Sequence, residues 1–229
     1  MEWEVIIKWL PKFLQGALLT LELVGIAVVL GLILAVPLGI ARASKLWFVR
    51  ALPYGYIFFF RGTPLLVQLF LVYYGLAQFD SIRESFMWPY LRDPFWCATA
   101  TMTLHTTAYI AEILRGAIQA IPPGEIEAAR ALGMSRPKAL FYIILPRAAR
   151  IGLPAYSNEV ILMLKASSLA STVTLLELTG MTRTIIARNY LTVDMFFTAG
   201  LFYLVISFLL VQAFKQLERL MRVDACQGR

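Results

Sequence analysis

Long apolar runs are the feature that most limits what this chain can fold into. They lie near residues 16–40, 53–79, 94–118, 152–176 and 195–217. Each is close to the roughly 20 residues that a helix needs to cross the hydrocarbon layer of a membrane. Because backbone polar groups in lipid must be satisfied within the segment, such runs cross as helices. The sequence therefore predicts an all-α membrane protein with five transmembrane helices, surrounded by membrane lipid.

The composition agrees with this fold class and excludes an ordinary soluble domain. Hydrophobic residues make up 59% of the chain and charged residues only 15%, against roughly 45–50% apolar content in soluble domains. A formal net charge of +7 would suggest nucleic acid as a partner of a soluble protein. Here no basic helix with interleaved aromatic residues is free in water, so we expect no nucleic-acid partner.

The distribution of the basic residues predicts the orientation in the membrane. If the loop with Arg42, Lys45 and Arg50 is cytoplasmic, that side collects thirteen of the 21 basic residues and the other side six. The positive-inside rule then places the N-terminus outside and the C-terminus inside. The first apolar run is too long for a signal peptide and is expected to remain as a span. Cys97 and Cys226 fall on opposite sides, so neither a disulfide nor a cysteine metal site is expected.

The second apolar run is interrupted by "RGTP", residues 61–64. Thr63 followed by Pro64 is typical of an N-cap and a first helical residue, so the helix is predicted to break and restart there. The restarted helix offers free N–H groups to an anion, which makes Arg61 and Thr63 a candidate clamp for a carboxylate. Alternatively, Arg61 extends to the inner interface and fixes the start of the helix.

Polar residues recur along the third span at intervals of three or four, which places them on one face. They are Thr101, His105, Tyr109, Glu112, Gly116 and Gln119. Glu112 lies near the inner end, so packing or gating is favoured over substrate contact. His105 is the single histidine; a structural imidazole with a hydrogen-bonding neighbour is favoured, because a metal would have no second ligand in view.

The fourth span carries polar residues on two faces. Asn158 and Lys165 lie seven residues apart on one face with Ser168 at its edge, whereas Glu159 is rotated by about 100°. Glu159 and Lys165 are therefore not expected to pair. Ionisable residues in spans are costly and suggest function. Glu159 is either the counter-charge for a cationic substrate or part of an interhelix pair, while a structural role is favoured for Lys165.

The connection at residues 120–147 is unusually charged. Pro122-Pro123-Gly124 stops the third span, and residues 125–132 predict a short helix that ends at Gly133. Ser135 is expected to cap a second helix that runs to Leu145-Pro146. An apolar stripe of Ile126, Ala129 and Leu132 fits packing on the protein's own surface or in another protein's groove, and periodicity alone also allows a solvated connector.

The same connection resembles the EAA loop of bacterial ABC importer permeases. Glu127-Ala128-Ala129 is followed at the family's spacing by Gly133, Ile143 and Leu145-Pro146. "RGTPLLVQL", "AYIAEILRGAI" and "LPAYSNEVILMLKASSLAS" resemble the polar amino acid subfamily, in particular the M-type permeases for histidine, lysine, arginine and ornithine. The resemblance implies a type I ABC importer permease fold. It also implies a cytoplasmic coupling helix that contacts an ATPase through Glu127, Ala128, Ala129 and Gly133.

The resemblance also implies the function and the partners. Residues 1–229 would form one permease domain in a bacterial inner membrane, with its N-terminus in the periplasm. It would import basic amino acids with a second, non-identical permease, a periplasmic binding protein and an ATPase dimer. The chain has no phosphate loop, so ATP and Mg²⁺ are expected in the ATPase, with no cofactor or catalysis in this chain. Glu159, Asn158, Arg61, Thr63 and Ser168 are the candidate path residues.

Other functions remain as alternatives. The same machine could carry a neutral or acidic polar amino acid or an opine. An ion-driven secondary transporter would need repeated halves with matching broken helices. An intramembrane enzyme would need convergent catalytic groups, such as the HExxH or GxSxG motifs, and the sequence contains neither.

Overall fold

The computed structural model describes residues 3–221, and these residues are helical without a β-strand. The long helices are α1 (Trp3–Arg42), α2 (Trp47–Gly62), α6 (Pro94–Gln119), α9 (Leu145–Ala166) and α11 (Thr192–Met221). The short helices are α3 (Leu65–Phe70), α4 (Asp80–Arg83), α5 (Trp88–Leu91), α7 (Pro123–Ala131), α8 (Arg136–Ala139) and α10 (Leu178–Asn189). The predicted all-α class is confirmed for this part of the chain. Cys226 lies outside it, as do Arg222 and Arg229, two of the thirteen basic residues counted on the expected cytoplasmic side.

Close packing of α1 against α6 forms the centre of the bundle. Gly39 of α1 lies so near α6 that an added Cβ would be 3.0 Å from the carbonyl oxygen of Ala111. An added Cβ at Gly31 would be 2.5 Å from the methyl group of Thr106. Glycine is therefore required at this crossing because any side chain would push the helices apart.

The connection between α6 and α9 is anchored to the bundle by a small apolar cluster. Ala117 of α6 and Ile121, two residues beyond the end of α6, bury their side chains with Ala148 near the start of α9. Ile126 of α7 and Ile144 pack against the same cluster. This cluster therefore holds together the end of α6, the charged connection and the start of α9.

The predicted number of spans is not reproduced by length and composition. Among residues 3–221, two helices, α1 and α11, are long and apolar enough to cross a membrane. Two bent pairs bring this to four if each pair counts as one span. The pairs are Trp47–Gly62 with Leu65–Gln78, and Arg136–Val173 with Leu178–Asn189. α6, with its polar stripe, is not among them, so the count of five stays a prediction.

The prediction that the helix after Ser135 ends at Leu145-Pro146 was wrong. It runs from Arg136 through a π turn at Leu140–Ile144 into α9. Pro146 has no N–H, and its ring would collide with the carbonyl four residues earlier in a regular helix. The wider π turn just before it accommodates the proline, so the helix continues.

Two other element boundaries differ from the prediction. α7 begins at Pro123 rather than after Gly124, because a proline fits the first helical turn, where its missing N–H costs nothing. α10 was not predicted. Its 12 residues include polar side chains and lack an apolar run of spanning length, so they resembled a connection.

Candidate functional site

The predicted break in the second segment is present, but its capping differs from the prediction. The helical segments Trp47–Gly62 and Leu65–Gln78 meet at a bend of 102°. Pro64, not Thr63, occupies the N-cap of α3, and no side chain caps that end. The Thr63 hydroxyl instead donates to the carbonyl of Phe59 at 2.8 Å. Thr63 therefore closes the end of α2 rather than opening α3.

Gln68 holds the two halves of the broken helix together. Its Nε2 donates towards the carbonyl oxygens of Phe60 at 2.9 Å and Thr63 at 3.0 Å, and lies 2.7 Å from Thr63 Oγ1. Carbonyls at a helix end have no partner within their own helix. The buried amide of Gln68 supplies partners to two of them. Sequence reasoning missed this residue, although a single amide in an apolar run just after a Thr-Pro break was a usable signal.

The structure does not bring Arg61 and Thr63 together as a clamp. The guanidinium of Arg61 lies 5.2 Å from the ring centroid of Tyr109 on α6, a cation–π distance. The Tyr109 ring in turn lies 5.0 Å from the ring of His105, centroid to centroid. Arg61 is thus attached to the polar stripe of α6. Thr63 is engaged with Phe59 and Gln68.

Glu112 is the centre of a charged cluster near the end of α6 that leads into residues 120–147. Its carboxylate lies 2.6 Å from Nη2 of Arg115 and 3.9 Å from Nε of Arg42. Arg42, at the end of α1, also lies 5.0 Å from the ring centroid of Tyr54 on α2. These contacts connect α1, α2 and α6, an arrangement suited to packing or gating.

On α9 and in the 3₁₀ helix Ser167–Val173 that follows it, the candidate path residues differ in burial. Glu159 is 6% exposed, and its Oε1 accepts a hydrogen bond from Thr106 on α6 at 3.2 Å. Asn158 and Lys165 are exposed. Ser168 is half-buried and donates to the Lys165 carbonyl at 2.8 Å. Glu159 therefore makes an interhelix contact in this conformation, whereas Asn158 and Lys165 present polar groups outward.

The four residues of the expected coupling surface divide into two pairs. Glu127 and Ala128 are exposed on α7. Ala129 is 2% exposed and packs inward, and Gly133 bends the chain. The stripe of Ile126, Ala129 and Leu132 is also divided, because Leu132 is 82% exposed while Ile126 packs on the apolar cluster. Glu127, Ala128 and Leu132 are the outward groups available to a partner.

Gly133 ends α7 in a left-handed conformation with φ +75°. Its N–H bonds the carbonyl of Arg130 at 2.9 Å, and the N–H of Met134 bonds the carbonyl of Ala129 at 3.1 Å. This pair of bonds is the Schellman motif, which glycine favours because it has no Cβ. The predicted stop of the helix at Gly133 is confirmed.

An ion pair of 3.3 Å between Glu125 and Arg147 ties α7 to α9.

Glu177 is a second residue that sequence reasoning missed. It is fully buried and caps α10, accepting from the N–H groups of Thr179 at 2.8 Å and Gly180 at 2.9 Å. It also accepts from the hydroxyl of Tyr203 on α11 at 3.0 Å. One carboxylate therefore fixes α10 to α11. The available signal was an acidic residue three positions before a glycine, an N-cap pattern without its apolar run.

The described residues hold no group of three or more histidine, cysteine or acidic side chains able to bind a metal ion. The chemistry of the chain lies in charged pairs, amide bridges and one exposed helix surface. Such contacts hold neighbouring helices together.

The chain is similar to a known family of membrane proteins. Residues 10–223 match the family described as binding-protein-dependent transport system inner membrane component. The octopine transport system permease protein OccM of Rhizobium radiobacter is 50% identical over 205 residues, covering 90% of this chain and 84% of that protein. The histidine/lysine/arginine/ornithine transport system permease protein HisM of Escherichia coli K12 is 42% identical over 205 residues, covering 89% and 86%.

A solved structure matches the fold. The chain superposes on the crystal structure of an amino acid ABC transporter with histidines with a TM-score of 0.84 and 32% identity, covering 96% of this chain and 98% of that one. The resemblance to ABC importer permeases and their type I fold is thereby confirmed. The chain belongs to the family of binding-protein-dependent transport system inner membrane components, the permease subunits of ABC importers.

Proposed function

We propose that this permease imports amino acids with a basic side chain, such as arginine, ornithine, histidine and lysine. The observation that carries the proposal is the environment of Glu159. It is buried, one hydroxyl donates to its carboxylate, and among residues 3–221 it has no cation within 4.0 Å. A buried carboxylate with few partners favours a cationic group that approaches it. HisM, named for four such amino acids, supports the same cargo.

Glu159, with Asn158 on the same helix and Ser168 just beyond its end, would contact the cargo when the bundle rearranges. In the present conformation the hydroxyl of Thr106 donates a hydrogen bond to the Glu159 carboxylate. Arg61 and Thr63 at the broken helix remain candidates for the path, with the carboxylate of the amino acid as their target. Glu112, His105 and Lys165 would act as structural or gating groups around it.

The proposed source of energy is a separate ATPase dimer, which would bind the ATP and Mg²⁺. Glu127 and Ala128 on the outward side of α7 would meet the ATPase, while buried Ala129 and the bend at Gly133 would shape the coupling loop, residues 120–147. The Glu125–Arg147 pair and the apolar cluster at Ile126 would carry movement of α7 to α6 and α9. Differential contacts in two conformations are what such a switch requires.

Residues 1–229 would act as a single permease domain in a bacterial inner membrane. A second, non-identical permease and a periplasmic binding protein would complete the importer. The proposed orientation places the N-terminus in the periplasm and α7 in the cytoplasm. A single cysteine introduced at position 127 should then react with an impermeant thiol reagent only from the cytoplasmic side. Labelling of intact cells at this position would overturn the orientation.

The cargo is tested by ATP-dependent uptake in vesicles that hold the complete importer. Labelled arginine, ornithine, histidine and glutamine are compared for the wild type, Glu159→Gln and the exposed-loop control Glu84→Gln. We expect the wild type and the control to accumulate the basic amino acids and Glu159→Gln to lose them. Unchanged uptake by Glu159→Gln would remove this carboxylate from cargo selection. Uptake of glutamine alone by the wild type would reject a basic cargo.

An opine is the second candidate cargo, because OccM, named for octopine, is 50% identical to this chain. Octopine contains an arginine unit with an added carboxylate, so it would present the same cation to Glu159. Competition separates the two cargoes. Two results together would favour the opine. Octopine would block arginine uptake at low concentration, and octopine itself would be taken up faster than free arginine.

A further inference from the structure

Two neighbouring cavities lie where α9 and α11 meet, at the end of the bundle that carries the coupling loop. The first, of about 430 Å³, is lined by apolar side chains from four helices. They include Leu32 and Val36 of α1, Ile113 of α6, Ala149 and Gly152 of α9, and Leu217 of α11. A cavity without charged groups excludes water and favours a hydrocarbon chain.

The second cavity, of about 300 Å³, has a charged mouth. It is lined by Arg147, Arg150 and Pro154 of α9 and by Glu218 of α11. Leu153 and Met221 belong to the walls of both cavities, so the two lie side by side. An apolar chamber next to a charged mouth matches a molecule with a hydrocarbon chain and an ionic head, which in this setting is a phospholipid.

The charges at the mouth identify the headgroup. Arg147 already pairs with Glu125 at 3.3 Å. Neither Arg150 nor Glu218 has an ion-pair partner within 4.0 Å among residues 3–221. One cation and one anion without an ion-pair partner among these residues therefore line the same mouth, which is the complement of a phosphate and an ammonium on the same headgroup. An anionic headgroup would satisfy Arg150 but would be repelled by Glu218.

From these observations we infer that the inner end of the α9–α11 seam binds one phosphatidylethanolamine molecule. Its phosphate contacts Arg150, its ammonium contacts Glu218, and one acyl chain occupies the cavity beside Ala149 and Gly152. Basic pockets between membrane helices on the cytoplasmic side bind the phosphates of anionic lipids, and Glu218 at this mouth adds the anion that an ammonium requires. Because Arg147 lines the same mouth and holds Glu125 of α7, the lipid also supports the segment beneath the coupling loop.

The lipid is tested with the complete importer in nanodiscs that contain equal amounts of phosphatidylethanolamine and phosphatidylglycerol. Native mass spectrometry after release counts the lipids that stay bound to the wild type, Arg150→Gln, Glu218→Gln and the control Lys45→Gln. Arg150→Gln should lower the retained phosphatidylethanolamine about fivefold, the effect of one basic residue near a lipid surface. Glu218→Gln should shift the preference to phosphatidylglycerol, and Lys45→Gln should behave as the wild type.

Photo-crosslinking then locates the acyl chain. Phosphatidylethanolamine with a diazirine in its acyl chain should label peptides from residues 145–156 and 217–221. Equal retention of both lipids by all four proteins would overturn the site. A wild-type preference for phosphatidylglycerol that Glu218→Gln leaves unchanged would overturn the zwitterionic headgroup. Cross-linking of a cysteine at position 149 to the second permease would show that protein, not lipid, fills the cavity.

Discussion

The side-chain oxygen of Gln68 lies 3.0 Å from Nδ1 of His105, and this contact joins the broken helix to α6. The amide nitrogen of Gln68 faces three oxygen acceptors, so the amide oxygen must face the histidine. His105 Nδ1 therefore carries the proton and donates it. The half-buried ring has the hydrogen-bonding neighbour that the sequence led us to expect. It belongs to a chain of contacts from the helix break, through His105 and Tyr109, to Arg61.

Replacing Gln68 by leucine should destabilise the break. The carbonyls of Phe60 and Thr63 would lose their donor, and a buried unsatisfied polar group costs about 1–3 kcal/mol. We expect a lower midpoint of thermal unfolding for purified Gln68→Leu. The matched control is Gln78→Leu, since Gln78 is exposed at the end of the same segment. Equal midpoints for the two variants would show that the amide does not hold the halves together.

The break illustrates what the sequence could and could not predict. Thr63-Pro64 marked its position, because proline removes a backbone hydrogen-bond donor and disfavours helical geometry in the residue before it. The direction of the Thr63 hydroxyl could not be predicted, since it can bond either forwards to α3 or backwards to Phe59. The role of Gln68 depends on His105, 37 residues away in sequence. Local patterns do not contain such a contact.

Gly133→Ala should destabilise the protein through the backbone alone. No atom lies within 4 Å of a Cβ added at this position, so the cost comes from its positive φ. A left-handed conformation costs about 1 kcal/mol for alanine. Gly124→Ala is the matched control, because that glycine lies in the first turn of α7 with equally open space. We expect a lower thermal midpoint for Gly133→Ala only. A similar fall in both variants would mean that the bend is not under conformational constraint.

The connections were harder to predict than the bundle. The spacing of the apolar residues and the capping residues indicated α7 and its end at Gly133, because both features depend on nearby residues. The continuation across Pro146 depends on a π turn that carries no signature in Leu140–Ile144. α10 is held by Glu177 and by packing on α1. A Cβ added at Gly16 of α1 would lie only 3.0 Å from the Cα of Leu178 on α10. Its stability thus comes from tertiary contacts rather than from its own sequence.

Glu127→Lys should prevent the permease from binding the ATPase without unfolding the permease. Glu127 is exposed, so reversing its charge removes no internal contact. If α7 docks on the ATPase, the variant should insert at normal yield but fail to co-purify with the ATPase. Glu84→Lys reverses an exposed charge in the connection predicted on the opposite side and should co-purify normally. Normal co-purification of Glu127→Lys would remove this residue from the coupling surface.

Glu177→Ala should release α10. The substitution removes the acceptor for two backbone N–H groups and for Tyr203, all in a buried position. Loss of an N-cap alone costs about 0.5–2 kcal/mol, while the Tyr203 hydroxyl keeps the Thr179 hydroxyl, 3.0 Å away, as a partner.

Limited trypsin digestion of the purified protein measures the release directly, because Arg183 and Arg188 are exposed cleavage sites within α10. Cleavage at these two residues should become several-fold faster in Glu177→Ala, while cleavage at Arg83 and Arg92 in the connection before α6 should keep its rate. Tyr203→Phe removes only one of the four hydrogen bonds to the carboxylate and should lie between the wild type and Glu177→Ala. Unchanged digestion of α10 in both variants would show that packing against α1, rather than the carboxylate, holds this helix in place.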